Sequence, residues 1–254
     1  MIFLIDLGNT QLTIAGWQDG RAAFSARIAT DRLQNEDHYE KAFRHILKSE
    51  GSPVLTGCAL SSVVPALTVP VAQAMRRVTG FEPVILSSEA GLGFQVLTRE
   101  AVGADMLAGA EAIKEKLPLP AIAVDMGTAT TFCCQNKAGD VLGVAIAPGV
   151  ALGVEALFGR ASHLCSTALE APAKAIGTDT GESIRSGVIL GAASLVDGMY
   201  RRMAAEMDPA EGKPTLVLTG GLSHLVAPFC EENAQCHSSL LLEGLAIYYE
   251  RNKH

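Results

Sequence analysis

Two short segments of the chain repeat one arrangement of Asp, Gly and hydroxyl or amide residues that suits phosphate chemistry. They are Asp6-Leu-Gly-Asn-Thr10 and Asp125-Met-Gly-Thr-Ala-Thr130. An Asp in this setting can hold a hydrated Mg²⁺ ion, and the glycine lets the backbone come close to a ligand. The side chains and N–H groups that follow can donate hydrogen bonds to phosphate oxygens. One copy alone is equally typical of an Asp that satisfies its own turn, but two copies half a chain apart favour a duplicated phosphate-handling fold.

The elements that must position these segments are predicted to be the strands and helices of two similar halves. Apolar runs at residues 1–5 and 120–124 precede the motifs and predict buried strands that end at Asp6 and Asp125. In each half, strand-like runs are followed by helical patterns, such as the one near residues 183–207 in the second half and those near residues 69–78 and 106–117 in the first. Pro118 and Pro120 end the helix near residues 106–117, so we expect two α/β domains, residues 1–117 and 118–254, facing a cleft.

Three further segments carry candidate functional residues. Gly103-Ala-Asp105 precedes a predicted helix, where Asp105 is either a helix cap or a general base for phosphoryl transfer. Thr219-Gly-Gly221 offers bare backbone to a flat base or ribose, although a plain glycine turn is the simpler interpretation. Thr180 is expected to cap a helix whose first turn, through its N–H groups and dipole, favours an anion.

Composition limits the classes of function. The net charge of −7 and the absence of Lys/Arg runs longer than a pair argue against nucleic-acid binding. The six cysteines match neither a disulfide framework nor a zinc-site spacing, so we expect reduced thiols. No apolar run approaches the length of a membrane span, and the first residues lack the features of a signal peptide. We therefore expect a cytoplasmic protein that has no membrane partner.

The chain resembles the type III pantothenate kinases, which belong to the acetate kinase, sugar kinase, heat-shock ATPase and actin superfamily. The resemblance extends nearly end to end and rests on the order and spacing of its motifs. These include the two Asp-Gly motifs, Ser61-Ser-Val-Val-Pro65, Gly103-Ala-Asp105, Ala147-Pro-Gly149, Ala156-Leu-Phe158 and Thr219-Gly-Gly221. The resemblance implies an α/β fold of two actin-like (ribonuclease H-like) domains that face a nucleotide cleft.

The resemblance also implies an activity, the ATP-dependent phosphorylation of pantothenate to 4′-phosphopantothenate, which is the first step of coenzyme A biosynthesis. It implies a homodimer with sites near the subunit interface, and a requirement for Mg²⁺ and for K⁺ or NH₄⁺. Asp105 would be the catalytic base, Asp6 would bind Mg²⁺ and Asp125 the monovalent cation. The implied nucleotide contacts are Asp6, Gly8, Asn9, Thr10, Gly127, Thr128, Ala129, Thr130, Gly220 and Gly221. The implied pantothenate contacts are Val96, Gly103, Ala104, Asp105, Met106 and, across the dimer, Thr180.

Departures from the family pattern concentrate on the side of the phosphate acceptor. Met106 stands where the family has an Arg that helps to bind the pantothenate carboxylate, and Val96 and Arg99 replace a Tyr and a Pro. Leu164-Cys165 also replaces the usual Leu-Pro. Because Met cannot pair with a carboxylate, the lost contact would cost about 1.5–3 kcal/mol, roughly ten- to hundredfold in affinity. Arg99 either compensates for this loss or remains a solvated loop charge.

Three hypotheses follow from this asymmetry. The first is a pantothenate kinase with a modified acceptor pocket, since Asp6, Asp105 and Asp125 are all present. The second is a kinase of the same fold that phosphorylates another small hydroxylated acceptor. The third is a non-catalytic relative that binds nucleotide and acts as a regulator, which would keep its function in an Asp105→Asn variant.

Overall fold

The computed structural model describes residues 1–97, 102–160 and 168–253. The chain divides into two compact units, the first formed by Met1–Leu117 with Ser239–His254 and the second by Pro118–Ser238. The C-terminal segment thus groups with the first unit, whereas the sequence predicts a single domain over residues 118–254. Its helix packs so closely on the first unit that a Cβ at Gly244 would lie 1.6 Å from the carbonyl oxygen of Ala108.

Unit 1 contains one mixed sheet and four long helices within the described residues. Its strands are β1 (Ile2–Leu7), β2 (Gln11–Gln18), β3 (Arg21–Ala29), β4 (Gly57–Ser62) and β5 (Val84–Ile85). Its helices are α1 (Glu36–Ser49), α2 (Pro65–Thr79), α3 (Ala104–Lys116) and, from the end of the chain, α7 (Leu240–Asn252). The sheet order is β3-β2-β1-β4-β5, with β1 antiparallel to β2 and parallel to β4.

Local sequence explains where the helices of unit 1 begin. The Asn35 side chain accepts a hydrogen bond from the backbone N–H of His38 and caps α1. Helix α2 begins at Pro65, four residues earlier than the apolar pattern predicts, because proline is well suited to the first turn. Both helices pack on the sheet through a core that includes Phe3, Ile5, Leu7, Tyr39, Phe43, Leu60, Leu67, Val71 and Met75.

Unit 2 repeats the arrangement of strands. Its strands are β6 (Ala121–Met126), β7 (Ala129–Gln135), β8 (Val141–Pro148), β9 (Thr215–Thr219) and β10 (Gln235–Cys236). Its helices are α4 (Val150–Arg160), α5 (Thr180–Glu206) and α6 (Ser223–Val226). The sheet order is β10-β9-β6-β7-β8, and β6 is antiparallel to β7 and parallel to β9. The core lies mainly between this sheet and α5, and includes Ile122, Val124, Phe132, Ile189, Val196, Tyr200, Leu216 and Leu218.

None of the helices in the part of the chain that the structure describes is long and apolar enough to cross a membrane.

Candidate functional site

The first Asp-Gly motif forms the end of β1 and the turn into β2. Asp6 is partly buried and pairs in register with Thr13 on β2 and with Ser61 on β4. The buried Ser61 hydroxyl donates a hydrogen bond of 2.9 Å to Asp6 Oδ1. Gly8 N–H donates to the carbonyl of Gln11, which leaves a two-residue turn of Asn9 and Thr10, both exposed. The motif therefore presents a carboxylate and an exposed polar turn at one edge of the sheet.

A segment after β3 holds this turn from the side. The backbone N–H of Thr30 donates to the carbonyl of Thr10 at 2.9 Å, and the Thr30 hydroxyl donates to the carbonyl of Gly8 at 2.7 Å. Arg32 Nη2 donates to Asn9 Oδ1 at 2.9 Å. This contact orients the amide of Asn9 and places a guanidinium beside the turn. Sequence reasoning missed Thr30 and Arg32.

The second motif takes the equivalent position in unit 2. Asp125 pairs in register with Thr131 on β7 and with Thr219 on β9. Gly127 N–H donates to the carbonyl of Ala129, so the turn between them is Thr128 alone, which is exposed.

Gly149 lies against this turn, because a Cβ there would be 2.2 Å from the carbonyl oxygen of Thr128 and 2.5 Å from that of Gly127. The backbone of the Pro-Gly segment before α4 thus packs directly against the second turn.

Two glycines follow β9 beside Asp125. Gly220 has a φ of +89°, and a Cβ there would lie 2.5 Å from Asp125 Oδ1. A side chain at this position would therefore be both strained and in collision with the carboxylate. Gly221 is exposed, and a Cβ there would meet no atom of the described residues within 4 Å. The Gly-Gly segment thus combines a required close approach with an open backbone surface, as expected where a flat ligand binds.

Thr130 differs from the other motif residues because its side chain is buried. Its exposure is 1%, and its hydroxyl has no hydrogen-bond partner among the described residues. It lines a cavity of about 230 Å³ together with Gly149, Gly153 and Gly191. A buried hydroxyl normally has a partner, and Thr130 is an exception among the described residues.

Asp105 lies in the first turn of α3 and is not its cap. The N-cap is Gly103, where a Cβ would be 2.5 Å from Asp105 Oδ1. Asp105 Oδ1 accepts a 2.8 Å hydrogen bond from the backbone N–H of Met106. Burial raises the pKa of Asp105, and hydrogen bonds from the backbone N–H groups of Met106 and of Asp105 itself oppose that rise. A carboxylate with a raised pKa is a stronger base, which favours the catalytic interpretation over the capping one.

The segment of Asp105 lies at the edge of the sheet that also carries Asp6. Val63, just beyond β4, donates its N–H to the carbonyl of Leu7, and a Cβ at Gly103 would lie 3.3 Å from its Cγ1. The structure thus brings Gly103 and its neighbours toward the first motif within unit 1.

Other acceptor-side positions divide between described and undescribed residues. Val96 is buried, and Ala104 and Met106 are partly buried. Arg99 and the Leu164-Cys165 pair lie outside the described residues, so the compensating role of Arg99 stays a prediction.

Thr180 begins α5, but it is not the cap that the sequence predicts. The N-cap is Asp179, whose side chain accepts from the backbone N–H of Glu182. The backbone N–H and the hydroxyl of Thr178 donate to the Glu182 carboxylate, and these hydrogen bonds lower the pKa of Glu182 to about 2. Thr180 itself is exposed and, with Gly177 and Ser183, lines an open cavity of about 770 Å³.

The donor set suits the groups that the family resemblance implies. Mg²⁺ in nucleotide sites takes one or two carboxylates together with phosphate oxygens and water, and Asp6, fixed by Ser61, supplies such a carboxylate. The backbone of Gly220 lies close to the carboxylate of Asp125, and neither Gly220 nor Gly221 places a side chain beside it. Thr128 and the orphaned Thr130 hydroxyl are donors suited to phosphate.

Comparison with known proteins decides the family. The model of the type III pantothenate kinase family matches residues 2–202. A type III pantothenate kinase from Desulfatibacillum aliphaticivorans is 39% identical over 256 residues, which cover 99% of this chain and 98% of that protein. The chain belongs to the type III pantothenate kinase family. Another type III pantothenate kinase, from Halalkalibacterium halodurans, is 36% identical over 256 residues and is covered over its full length, against 99% of this chain.

Solved structures agree with this family at the level of the fold. A protein from Sinorhizobium meliloti described as a 2-dehydro-3-deoxygalactonokinase aligns with a TM-score of 0.60 at 11% identity, covering 100% of this chain and 97% of its own. The activator of 2-hydroxyisocaproyl-CoA dehydratase from Clostridium difficile, with bound ADPNP, aligns with a TM-score of 0.56 at 8% identity, covering 97% and 93%. The predicted actin-like α/β fold class of this type III pantothenate kinase family member is thereby confirmed.

Proposed function

We propose that this protein transfers the γ-phosphoryl group of ATP to the hydroxyl of pantothenate, giving 4′-phosphopantothenate for coenzyme A biosynthesis. The observation that carries the proposal is the full-length match to type III pantothenate kinases. Two features of the structure also support it. Burial raises the pKa of Asp105, and each Asp-Gly motif lies where a strand ends and turns into its antiparallel neighbour.

Asp105 is the proposed general base. Its carboxylate takes the proton of the pantothenate hydroxyl while the hydroxyl oxygen forms a bond to the γ-phosphorus. The bond from that phosphorus to the oxygen bridging the β- and γ-phosphates breaks, and ADP leaves with the bonding electrons. Burial of Asp105 favours proton uptake, since it disfavours the charged carboxylate.

The two turns are the proposed phosphate-binding elements. Gly8, Asn9 and Thr10 would bind one part of the triphosphate, and Gly127 to Thr130 the other. A bound Mg²⁺ would neutralise charge on the phosphates, with Asp6 as its protein ligand. Gly220 and Gly221 are the proposed nucleoside contacts, and Asp125 the proposed ligand of K⁺ or NH₄⁺.

The acceptor would contact Val96, Gly103, Ala104 and Met106, with Thr180 supplied by a second copy of the chain. Exposed large apolar side chains of unit 2 support a homodimer, since a partner surface would remove them from water. They are Ile146, Leu152, Leu157 and Leu195. We further propose a cytoplasmic location, without nucleic-acid or membrane partners.

A second function is favoured by Met106 and Val96. Both are apolar and at least partly buried, so neither of these two positions supplies a cation to pair with the pantothenate carboxylate. A small hydroxylated acceptor without a carboxylate would suit these residues better.

Steady-state phosphorylation with ATP, Mg²⁺ and either K⁺ or Na⁺ tests both functions. Pantothenate should be compared with pantothenyl alcohol, in which a neutral hydroxyl replaces the carboxylate. K⁺-dependent phosphorylation that prefers pantothenate supports the first function. A preference for the alcohol supports the second, and nucleotide binding without turnover of either compound would contradict both and favour the regulatory hypothesis.

A further inference from the structure

Helix α3 carries a buried acid that the proposed reaction does not use. Glu111 has 0% exposure, and its Oε1 accepts hydrogen bonds from the backbone N–H of Gly93 at 2.9 Å and from Arg251 Nη1 of α7 at 2.6 Å. Its Oε2 is buried without a hydrogen-bond partner among the described residues. Burying an acid with one unsatisfied oxygen costs free energy of folding.

The contacts of Glu111 are part of a larger set of hydrogen bonds to the backbone of residues 90–93, the segment after β5. This set of hydrogen bonds is called the grip. Lys114 Nζ, also on α3, donates to the carbonyl of Gly93 at 2.6 Å. From α7, the Tyr248 hydroxyl donates to the carbonyl of Ala90 and Asn252 Nδ2 donates to that of Gly91, both at 3.0 Å. Backbone groups of Ala90–Gly93 are therefore bound by side chains from two helices at once.

Two glycines of this segment lie against the side chains that bind it. Gly91 has a φ of +81°, and a Cβ there would lie 2.2 Å from Asn252 Oδ1. A Cβ at Gly93 would lie 2.7 Å from Arg251 Nη1. The backbone of Gly91 and Gly93 consequently lies directly against the side chains of Asn252 and Arg251.

We infer that the Glu111–Arg251 pair is a positioning device for the acceptor side of the site. It attaches Gly93, three residues before Val96, to the helix whose first turn carries Asp105. Asp105 and Glu111 are six residues apart on α3, about 9 Å along the helix axis. Helix α3 therefore carries the proposed base, Asp105, and also Glu111, which binds the segment that leads to Val96. This inference rests on the proposed function only in assigning Val96 and Asp105 to the acceptor site.

The charge of the pair sets the expected behaviour of variants. Removing Glu111 leaves Gly93 N–H without its acceptor and removes one of the two ion pairs of Arg251. The other, with Glu115 at 3.3 Å, remains. Replacing both partners by apolar residues of similar size usually preserves a fold while abolishing such hydrogen bonds. Loss of the grip and loss of the fold can therefore be separated.

The experiment compares Glu111→Ala, Glu111→Gln and the double variant Glu111→Leu/Arg251→Met with the full-length parent protein. Hydrogen exchange of backbone amides in residues 87–97 reports on the grip, and the KM values for pantothenate and ATP report on its consequence. Lys116→Met is the matched control, since Lys116 pairs with Glu243 between the same two helices at 3.2 Å without contacting the segment.

We expect Glu111→Ala and the double variant to raise amide exchange in residues 87–97 about tenfold or more. The KM for pantothenate should rise about tenfold, with kcat and the KM for ATP within about threefold of the parent. Glu111→Gln keeps an acceptor oxygen, so its exchange rates and KM should stay closer to those of the parent than to those of Glu111→Ala. Lys116→Met should change neither readout.

Three results would overturn the inference. Unchanged exchange in a folded double variant would show that the pair does not hold the segment. Faster exchange with an unchanged KM for pantothenate would show that the segment does not serve the acceptor site. Equal changes in Lys116→Met would show a general loosening of the helix pair. Hydrogen exchange needs no turnover, so it tests the grip even if pantothenate proves not to be the acceptor.

Discussion

Asp6 on β1 lies between an antiparallel neighbour, Thr13, and a parallel neighbour, Ser61, while Asp125 on β6 lies between Thr131 and Thr219. Unit 1 and unit 2 thus place the same residue type at the same point of the same strand arrangement. Each parallel neighbour also carries a hydroxyl side chain. Such agreement over register, and not just over sequence motif, is what a duplicated fold predicts.

The surroundings of the two carboxylates differ. In unit 1 the Ser61 hydroxyl donates to Asp6, and the adjoining turn has two residues. In unit 2 the backbone of Gly220 lies against Asp125, and the turn has one residue, Thr128. The comparison teaches that strand register places a carboxylate, whereas the residue that faces it decides which chemistry is available there. Four predictions test how far the two units have diverged.

The largest expected effect is that of Asp105→Asn, in the element of unit 1 that supplies the proposed base. Loss of general-base catalysis should lower kcat about 10²- to 10⁴-fold, with nucleotide binding retained. Because burial raises the folded-state pKa of Asp105, ionising it opposes folding as pH rises through that pKa. The variant should therefore melt at a higher temperature than the parent at pH 7, with the difference shrinking toward pH 4. A lower melting temperature at pH 7 would contradict the raised pKa of Asp105, and an unchanged kcat would contradict its role as the base.

The next effect separates the two carboxylates. Asp6→Asn should raise the Mg²⁺ concentration needed for half-maximal activity, and Asp125→Asn should raise the K⁺ concentration needed. Each variant should lose about ten- to hundredfold in kcat/KM. Titrations of both ions against both variants provide the measurement. If either variant responded equally to both ions, the two sites would not have the separate roles proposed.

A third pair of variants compares the glycines beside the carboxylates. Gly220→Ala should destabilise unit 2 by about 2 kcal/mol, since it combines a positive φ with a collision against Asp125. Gly8→Ala should cost less, because its φ is not positive and a Cβ there would lie 3.0 Å from the carbonyl oxygen of Gln11. Chemical denaturation of both variants measures the difference, and equal costs would show that strain at Gly220 is relieved.

The smallest effects concern two buried hydroxyls. Ser61→Ala removes a hydrogen bond to a carboxylate and should cost about 1.5 kcal/mol of stability. Thr130→Val removes a hydroxyl that has no partner among the described residues, so stability should be unchanged or raised by up to about 1 kcal/mol. If Thr130 binds phosphate, the KM for ATP should nevertheless rise. A destabilised Thr130→Val variant without a change in KM would assign the hydroxyl a structural role.

Much of the site was accessible to sequence reasoning because its elements are local. Apolar runs that end at Asp, followed by Gly and hydroxyl residues, predicted both strand-to-turn motifs, and the confirmed family and fold class followed from their order along the chain. Errors occurred where two residues competed for one local role. At the start of α5, for example, Asp179 and Thr180 are both good N-caps, and Asp179 takes the position.

The sequence by itself determined the two motifs and the hairpin strands that carry them, because these depend on interactions between neighbours along the chain. Only the tertiary structure decided that α7 packs on the first unit, that Arg32 contacts Asn9 and that Glu111 binds Gly93 and Arg251. The hydrogen bonds of Arg32 with Asn9 and of Glu111 with Gly93 and Arg251 join residues that are between 18 and 140 positions apart. Helical periodicity shows that a face is apolar but does not identify its partner, so only the folded chain selects those contacts.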